Sequence, residues 1–149
     1  MVNIEHLGIE SICPIIAFDQ LCFPTDFWNE TDWKMLLEDD RAIYYAILDG
    51  KAIVGNIFIY NWQGERDYIK IMNIAVHPNW RKRGLAHQLL NHVTQHMKEL
   101  GMFQFCGETR ASNLAMQKVF TDCGYRLNTI EEGYYDRPAE SAYKYVLQL

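Results

Sequence analysis

Neither a G-x-x-x-x-G-K-[ST] nor a G-x-G-x-x-G occurs in the 149 residues, so a nucleotide P-loop and a dinucleotide-binding turn are both unsupported. The four cysteines, Cys13, Cys22, Cys106 and Cys123, form no C-x-x-C and no Cys/His zinc spacing. With no secretory leader read at the N-terminus, they are expected to be reduced thiols in a cytoplasmic protein. No apolar run approaches the roughly 18 residues that cross a bilayer, so no membrane partner is expected. An excess of positive charge is missing as well. Fourteen Lys and Arg stand against 19 Asp and Glu, a net charge of −5, which argues against nucleic acid as a partner and suits a cationic one such as an amine. His92 and His96 lie one helical turn apart, but the glutamate of H-E-x-x-H is absent and no third ligand is evident, so no metal is expected.

What remains is ordinary globular composition, 49% hydrophobic, 22% charged and 13% aromatic, without repeats, low-complexity tracts or linkers. One domain spanning residues 1–149 is expected. Val2–Leu7 alternates like a short strand, and Ile9–Phe23 carries helical spacing with Pro14 in its first turn. Asn29 is placed as the N-cap of a helix through Glu38. Ala42–Leu48 and Ala52–Tyr60 read as strands separated by an Asp49-Gly50 hairpin turn. A turn over residues 61–66 leads to a strand at Tyr68–Val76. A helix follows from about Gly84 to Leu100, with Leu85, Leu89, Val93, Met97 and Leu100 on one face. Phe103–Arg110 is a strand, Asn113–Asp122 a helix, and Arg126–Tyr135 and Tyr143–Leu149 are closing strands. The order predicts an α/β (α+β) fold, a mixed sheet of about seven strands flanked by about four helices.

The most informative stretch is Met72-Asn-Ile-Ala-Val-His-Pro-Asn-Trp-Arg-Lys-Arg-Gly-Leu-Ala86. A strand stops at Pro78, three basic residues follow, and a long helix begins. A helix N-terminus presents unpaired N–H groups and about half a positive charge, and so attracts anions. Gly84 lets a bulky anion reach the backbone, Ala86 keeps the next turn open, and Arg81, Lys82 and Arg83 add charge. This is a candidate phosphate site.

Arg81-x-x-Gly84-x-Ala86 straight after a strand resembles the [QR]-x-x-G-x-[GA] pyrophosphate loop of the GNAT acetyltransferases. Downstream, Gly107-Glu-Thr-Arg-Ala-Ser-Asn113, a helix ending Val119-Phe120, and Cys123-Gly124-Tyr125 complete a likeness to the RimI-like branch, whose members acetylate protein N-terminal amines. The likeness is dense over residues 72–125 and loose in the N-terminal third. It implies a GNAT fold and acetyl-CoA as co-substrate, held by the backbone at Ile74, Ala75 and Val76, the loop Arg81, Lys82, Arg83 and Gly84, the helix start Leu85, Ala86 and His87, and by Asn113 and Phe120. It also implies direct attack of an amine within a ternary complex. By the same resemblance, a backbone N–H in Asn73–Ala75 would polarise the acyl carbonyl and Glu108 would be the general base.

Each of these assignments has a plainer counterpart. Glu108 can be a surface glutamate paired with Arg110, Asn113 a helix N-cap, and Ile74 and Val76 core packing. One departure stands out: Phe120 occupies the position where the family commonly has a tyrosine that protonates the leaving thiolate. Tyr135, Tyr134 or Cys123 is the substitute donor, or the thiolate leaves unaided. The expected acceptor is a protein or peptide α-amine, with a small amine (polyamine, amino acid or aminoglycoside) as the alternative. A weakly active acetyl-CoA-binding regulatory module is the rival from another class. The oligomeric expectation is a monomer or homodimer.

Overall fold

A computed structural model describes residues 3–62 and 67–149 of the chain. Its elements are β1 (Ile4–Leu7), α1 (Ile12–Cys22), α2 (Glu30–Leu37), β2 (Ala42–Asp49), β3 (Ala52–Trp62), β4 (Tyr68–Val76), α3 (Leu85–Glu99), β5 (Gln104–Arg110), α4 (Leu114–Asp122), β6 (Arg126–Tyr135) and β7 (Glu140–Gln148). Short 3₁₀ turns at Ile9–Ser11 and Pro78–Trp80 precede α1 and the loop before α3. Among the described residues the strands form a mixed seven-stranded sheet in the order β1-β2-β3-β4-β5-β7-β6, which bears out the expected α/β architecture and its four helices. The chain packs as two compact units, the first being residues up to Tyr60 with Met72–Leu89, the second Asn61–Ile71 with Leu90–Leu149.

In the first unit, β2 pairs antiparallel with both β1 and β3. Ile15 and Phe18 of α1 and Trp33 of α2 cover Tyr44, Ala46 and Phe58, with Met72 and Ala75 of β4 packed against the same cluster. Trp33 is fully buried, its ring 4.7 Å from that of Trp28 and 5.2 Å from that of Phe58. Asn29 caps α2 as expected, its side chain accepting from the Asp32 N–H at 2.7 Å. Gly55 lies on the other face of β3, where a Cβ would stand 3.4 Å from Leu89 of α3. The hairpin differs from expectation by one residue. Asp49 still pairs with Ala52, so the turn is Gly50-Lys51, with Gly50 at φ +61°. A glycine with positive φ at the first turn position is what a II′-type hairpin requires.

In the second unit, β5 alternates regularly. Phe105, Gly107 and Thr109 are buried, while Gln104, Cys106, Glu108 and Arg110 are half-buried on the opposite face. β5 pairs in parallel with β4 from Ile69↔Phe105 to Ile71↔Gly107 and antiparallel with β7, placing Gly107 opposite Tyr145 and Glu108 opposite Lys144. Leu90, Val93 and Met97 of α3 are buried, and Leu90 was absent from the expected apolar stripe. Leu100 falls beyond the last residue of α3 and is 65% exposed, because the helix ends at Glu99 and the chain turns through Gly101 at φ +90°. The closing strand begins at Glu140, three residues earlier than the apolar pattern indicates, because Glu140 pairs with Tyr135 across the β6–β7 hairpin. Val2 of the expected first strand, and most of the expected turn after Asn61, lie outside the described residues.

The tightest contact of the second unit is at Gly107. The Phe120 ring is buried there, stacked 10° from parallel on Tyr145 at 4.9 Å and packed on Tyr125 at 5.4 Å. A Cβ on Gly107 would fall 2.7 Å from Phe120 Cζ and 3.2 Å from Ile71 Cβ. Gly107→Ala is therefore expected to destabilise the protein by about 1–3 kcal/mol through overpacking. Pairing it with Phe120→Leu is expected to return part of that loss, whereas additive losses in urea denaturation would contradict the contact.

Candidate functional site

In the first unit, Ile74, Ala75 and Val76 lie half-buried at the end of β4. The His77 N–H donates to the Val54 carbonyl at 2.8 Å, and Pro78–Trp80 turn the chain outward. Arg81, Lys82, Arg83 and Gly84 follow, all exposed. Lys82 has φ 63° and Gly84 φ 76°, so left-handed residues bracket Arg83. Such alternation turns successive N–H groups toward one side, as in anion-binding nests. For a lysine this conformation is strained, and it is the kind of outlier that marks a functional loop. Gly84 is the residue from which α3 starts, its carbonyl accepting from the Gln88 N–H at 3.1 Å. Nothing stands within 4 Å of where a Gly84 Cβ would be, so the backbone is open to a ligand there.

The basic side chains are arranged by the loop itself. Arg81 Nε donates to the Val76 carbonyl at 3.3 Å, and the Arg83 guanidinium lies over the Trp80 ring at 4.6 Å. Leu85 is buried and anchors the first turn of α3, while Ala86 and His87 are half-buried behind it. The expected cofactor-loop residues are thus brought together, at the mouth of a fifteen-residue helix.

In the second unit, Glu108 is on the half-buried face of β5. Its Oε1 accepts from the Tyr134 hydroxyl at 2.6 Å, and Lys70 Nζ lies 3.8 Å from the same oxygen. The expected alternative partner, Arg110, is engaged elsewhere. It pairs with Glu140 at 3.2 Å, donates to the Pro138 and Asp136 carbonyls, and lies 4.5 Å over the Tyr135 ring. The surface pairing of Glu108 with Arg110 is therefore corrected. Both residues point the same way, but Arg110 sits at the β6–β7 hairpin and fastens that connection.

The hydroxyl beside Glu108 belongs to Tyr134, whereas Tyr135 is stacked on Arg110. Accepting its proton-donating bond, the Glu108 carboxylate holds the Tyr134 phenol well above the usual tyrosine range, and partial burial adds to this. Lys144 lies 4.8 Å over the Tyr134 ring and pairs with Glu131 at 2.9 Å. Asn113 caps α4, its Oδ1 accepting from the Met116 N–H at 3.1 Å, while remaining exposed. Phe120 is 1% exposed and faces Gly107 and Tyr145.

Burial raises the thiol pKa at Cys22 (to about 11), at Cys106 and at Cys123, which keeps these groups protonated at neutral pH and unsuited to nucleophilic attack. His92 and His96 have rings 6.2 Å apart. Among the described residues no group of three or more His, Cys, Asp and Glu gathers in a way that could hold a metal ion. No helix among them is long and apolar enough to cross a membrane.

Residues 10–125 match the acetyltransferase (GNAT) family. The chain belongs to that family. It is 35% identical over 100 residues to the [ribosomal protein bS18]-alanine N-acetyltransferase of Salmonella typhimurium, covering 67% of this chain and 58% of that protein. The chain spans about half the length of the curated relatives it matches. Among solved structures, the ribosomal-protein-S18-alanine N-acetyltransferase of Escherichia coli superposes with TM-score 0.89 at 21% identity, over 99% of this chain and 94% of that one. NAA60 of Arabidopsis thaliana in complex with acetyl-CoA gives TM-score 0.89 at 14% identity over the full length of both. These likenesses show a GNAT fold.

Within this GNAT chain, two features escape local sequence reading. One is the Tyr134–Glu108 contact, which depends on the β6–β7 register and its irregularities. The other is a buried polar chain that runs from Asp19 of α1 through Asn73 of β4 to Asn56 of β3. The raised phenol has a signed consequence. A group whose folded pKa exceeds its unfolded value contributes stability below the unfolded pKa, near 10 for tyrosine, and loses it as pH rises further. Tyr134 is therefore expected to form phenolate only above the ordinary tyrosine transition in an ultraviolet titration. Glu108→Gln is expected to bring that late-titrating tyrosine back toward the ordinary value, and an unchanged titration would separate the two groups.

Proposed function

We propose that the chain catalyses acetyl transfer from acetyl-CoA to a primary amine, with residues 1–149 working as one catalytic domain. The acceptor class is a protein or peptide N-terminal α-amine. The observation that carries this reading is the hydrogen-bonded pair of Glu108 carboxylate and Tyr134 hydroxyl, 2.6 Å apart. Acetyl transfer to an amine needs a group that takes a proton and a group that returns one, and a carboxylate beside a neutral phenol supplies both. The name of the Salmonella typhimurium relative supports an α-amine acceptor.

The chemistry follows from that pair. An amine with pKa near 8 is mostly ammonium at neutral pH and releases one proton to solvent before it can attack. The neutral amine then adds to the thioester carbonyl, whose oxygen is polarised by backbone N–H of Asn73–Ala75. As the C–N bond forms, the nitrogen gives its second proton to Glu108, directly or through a water. The C–S bond breaks and the thiolate leaves. Phe120 cannot supply its proton. Protonated Glu108 instead donates to Tyr134 Oη while the Tyr134 hydroxyl proton moves to sulfur. In net, the proton that Glu108 took from nitrogen thus ends on sulfur, and the phenol is returned to its neutral form. Lys82, Arg83 and the N–H groups around Gly84 bind the pyrophosphate, and Arg81 shapes the loop. The half-buried backbone at Ile74 and Val76 pairs with the pantetheine arm as another strand, Asn113 meets its amide, and Leu85, Ala86 and His87 line the helix start.

Phe120 also favours a second reading, a weakly active module that binds acetyl-CoA and turns it over slowly. Steady-state kinetics separate the two. Glu108→Gln is expected to lower kcat by about 10²–10⁴-fold with the KM for acetyl-CoA unchanged, and Tyr134→Phe by about 10²-fold. Gly84→Val is expected to raise the KM for acetyl-CoA with kcat less affected, because it adds a side chain at a left-handed residue. Unaltered turnover in Glu108→Gln would remove Glu108 as the base.

A further inference from the structure

Asp19 is 4% exposed in the middle of α1, and among the described residues no ion pair is formed by its carboxylate. Among the described residues its partners are three N–H donors. Oδ2 accepts from the Trp28 backbone at 2.9 Å and from the Trp33 indole Nε1 at 2.9 Å. Oδ1 accepts from Asn73 Nδ2 at 3.3 Å. Asn73 passes the polarity on, its Oδ1 accepting from Asn56 Nδ2 at 2.7 Å, and Asn56 is itself 1% exposed on β3. All of these groups belong to the first unit. An unpaired buried charge is costly, and a leucine at position 19 would suit the surrounding Ile15, Phe18 and Trp33 better on packing grounds alone.

What a carboxylate provides here, and an apolar residue or an amide does not, is direction. It only accepts hydrogen bonds, so Asn73 must turn its NH₂ toward α1 and its carbonyl oxygen toward β3. That fixes both the rotamer and the amide orientation of Asn73. Its position matters because the pairing of β4 with β5 runs from Ile69 to Ile71, and β4 continues beyond this through Asn73 to Val76. In that continuation the side chain of Asn73 is fastened on two sides, to α1 and to β3. The same carboxylate holds Trp28, in the connection between α1 and α2, and Trp33 in α2.

We propose that Asp19 is a positioning residue for acetyl transfer, acting through Asn73 to hold the Asn73–Ala75 backbone whose N–H polarises the acyl carbonyl. This rests on the reading of the chain as an acetyltransferase. Asp19 touches no reacting atom. It sets where a backbone donor points, and a misplacement of about 1 Å in such a donor costs on the order of 10²-fold in rate.

Reversing the polarity of the chain tests this. In Asp19→Asn the new amide can still accept from Trp28 and Trp33, but its NH₂ then faces the NH₂ of Asn73. kcat is expected to fall tenfold or more, roughly, as one buried donor loses its acceptor, with little change in the KM for acetyl-CoA. The exchanged pair Asp19→Asn with Asn73→Asp puts one carboxylate between two NH₂ donors and restores every hydrogen bond, so it is expected to recover most of kcat. Amide hydrogen exchange gives a readout independent of turnover. Ile74 and Ala75 are expected to exchange faster in Asp19→Asn and to return to the wild-type rate in the exchanged pair. Unchanged kcat and exchange in folded Asp19→Asn would overturn the proposal, as would an exchanged pair no better than the single variant. If the wild-type protein transferred no acetyl group, the acetyltransferase reading would fail, and Asp19 would be judged on exchange at Ile74 and Ala75 alone.

Discussion

The close approach of Gly107 to the Phe120 ring governs the second unit. A residue with a Cβ at 107 and an aromatic ring at 120 compete for the same space, and the chain resolves this by omitting the Cβ. The ring then stacks on Tyr145, which the β5–β7 register places directly across from Gly107. With Gly107 turned toward the helix side, the period of two in β5 turns Glu108 the other way. There it meets Lys70 from β4 and Tyr134 from β6, and Lys144 stands opposite it on β7. The same packing buries position 120, so a side chain there serves the core. The proton-donating group of the proposed mechanism then comes from the half-buried face of β5, where the Tyr134 hydroxyl already bonds Glu108.

The first unit shapes its proposed cofactor loop through the backbone. Two left-handed residues, Lys82 and Gly84, form the loop ahead of α3, and the side chains of Arg81 and Arg83 return to Val76 and Trp80. β4 leads into that loop, and its last residues carry one polar side chain, Asn73. The Asp19 carboxylate and the Asn56 amide then hold that side chain between a helix and a strand. Polar groups are used here where apolar packing would suffice for stability, which is consistent with directional demands on the strand.

Much of this was legible locally. The β4 and β6 boundaries, the N-caps Asn29 and Asn113, and the glycine before α3 all rest on interactions within a few residues, so their signals lie in short stretches of sequence. Gly50 was readable as a turn residue, but not that Asp49 would remain paired. Leu100 has the helical spacing of a core residue, yet the helix stops before it. The partner of Glu108 was not legible, because the only nearby alternative in sequence was Arg110, whereas the β6 register delivers Tyr134 from 26 residues away. Asp19 gave no local signal. A single acid in an apolar helix looks solvated until α2, β3 and β4 are packed around it.

The central claim is that an outward carboxylate and its phenol make this GNAT chain an amine acetyltransferase. The most direct test is to incubate it with acetyl-CoA and, separately, short peptides with free N-termini and small primary amines, recording product masses. The account predicts one acetyl group on the peptide α-amine, with coenzyme A released in equal amount. Peptides left unmodified while small amines are acetylated would contradict the acceptor class. Bound acetyl-CoA with neither pool modified would contradict the catalytic reading itself.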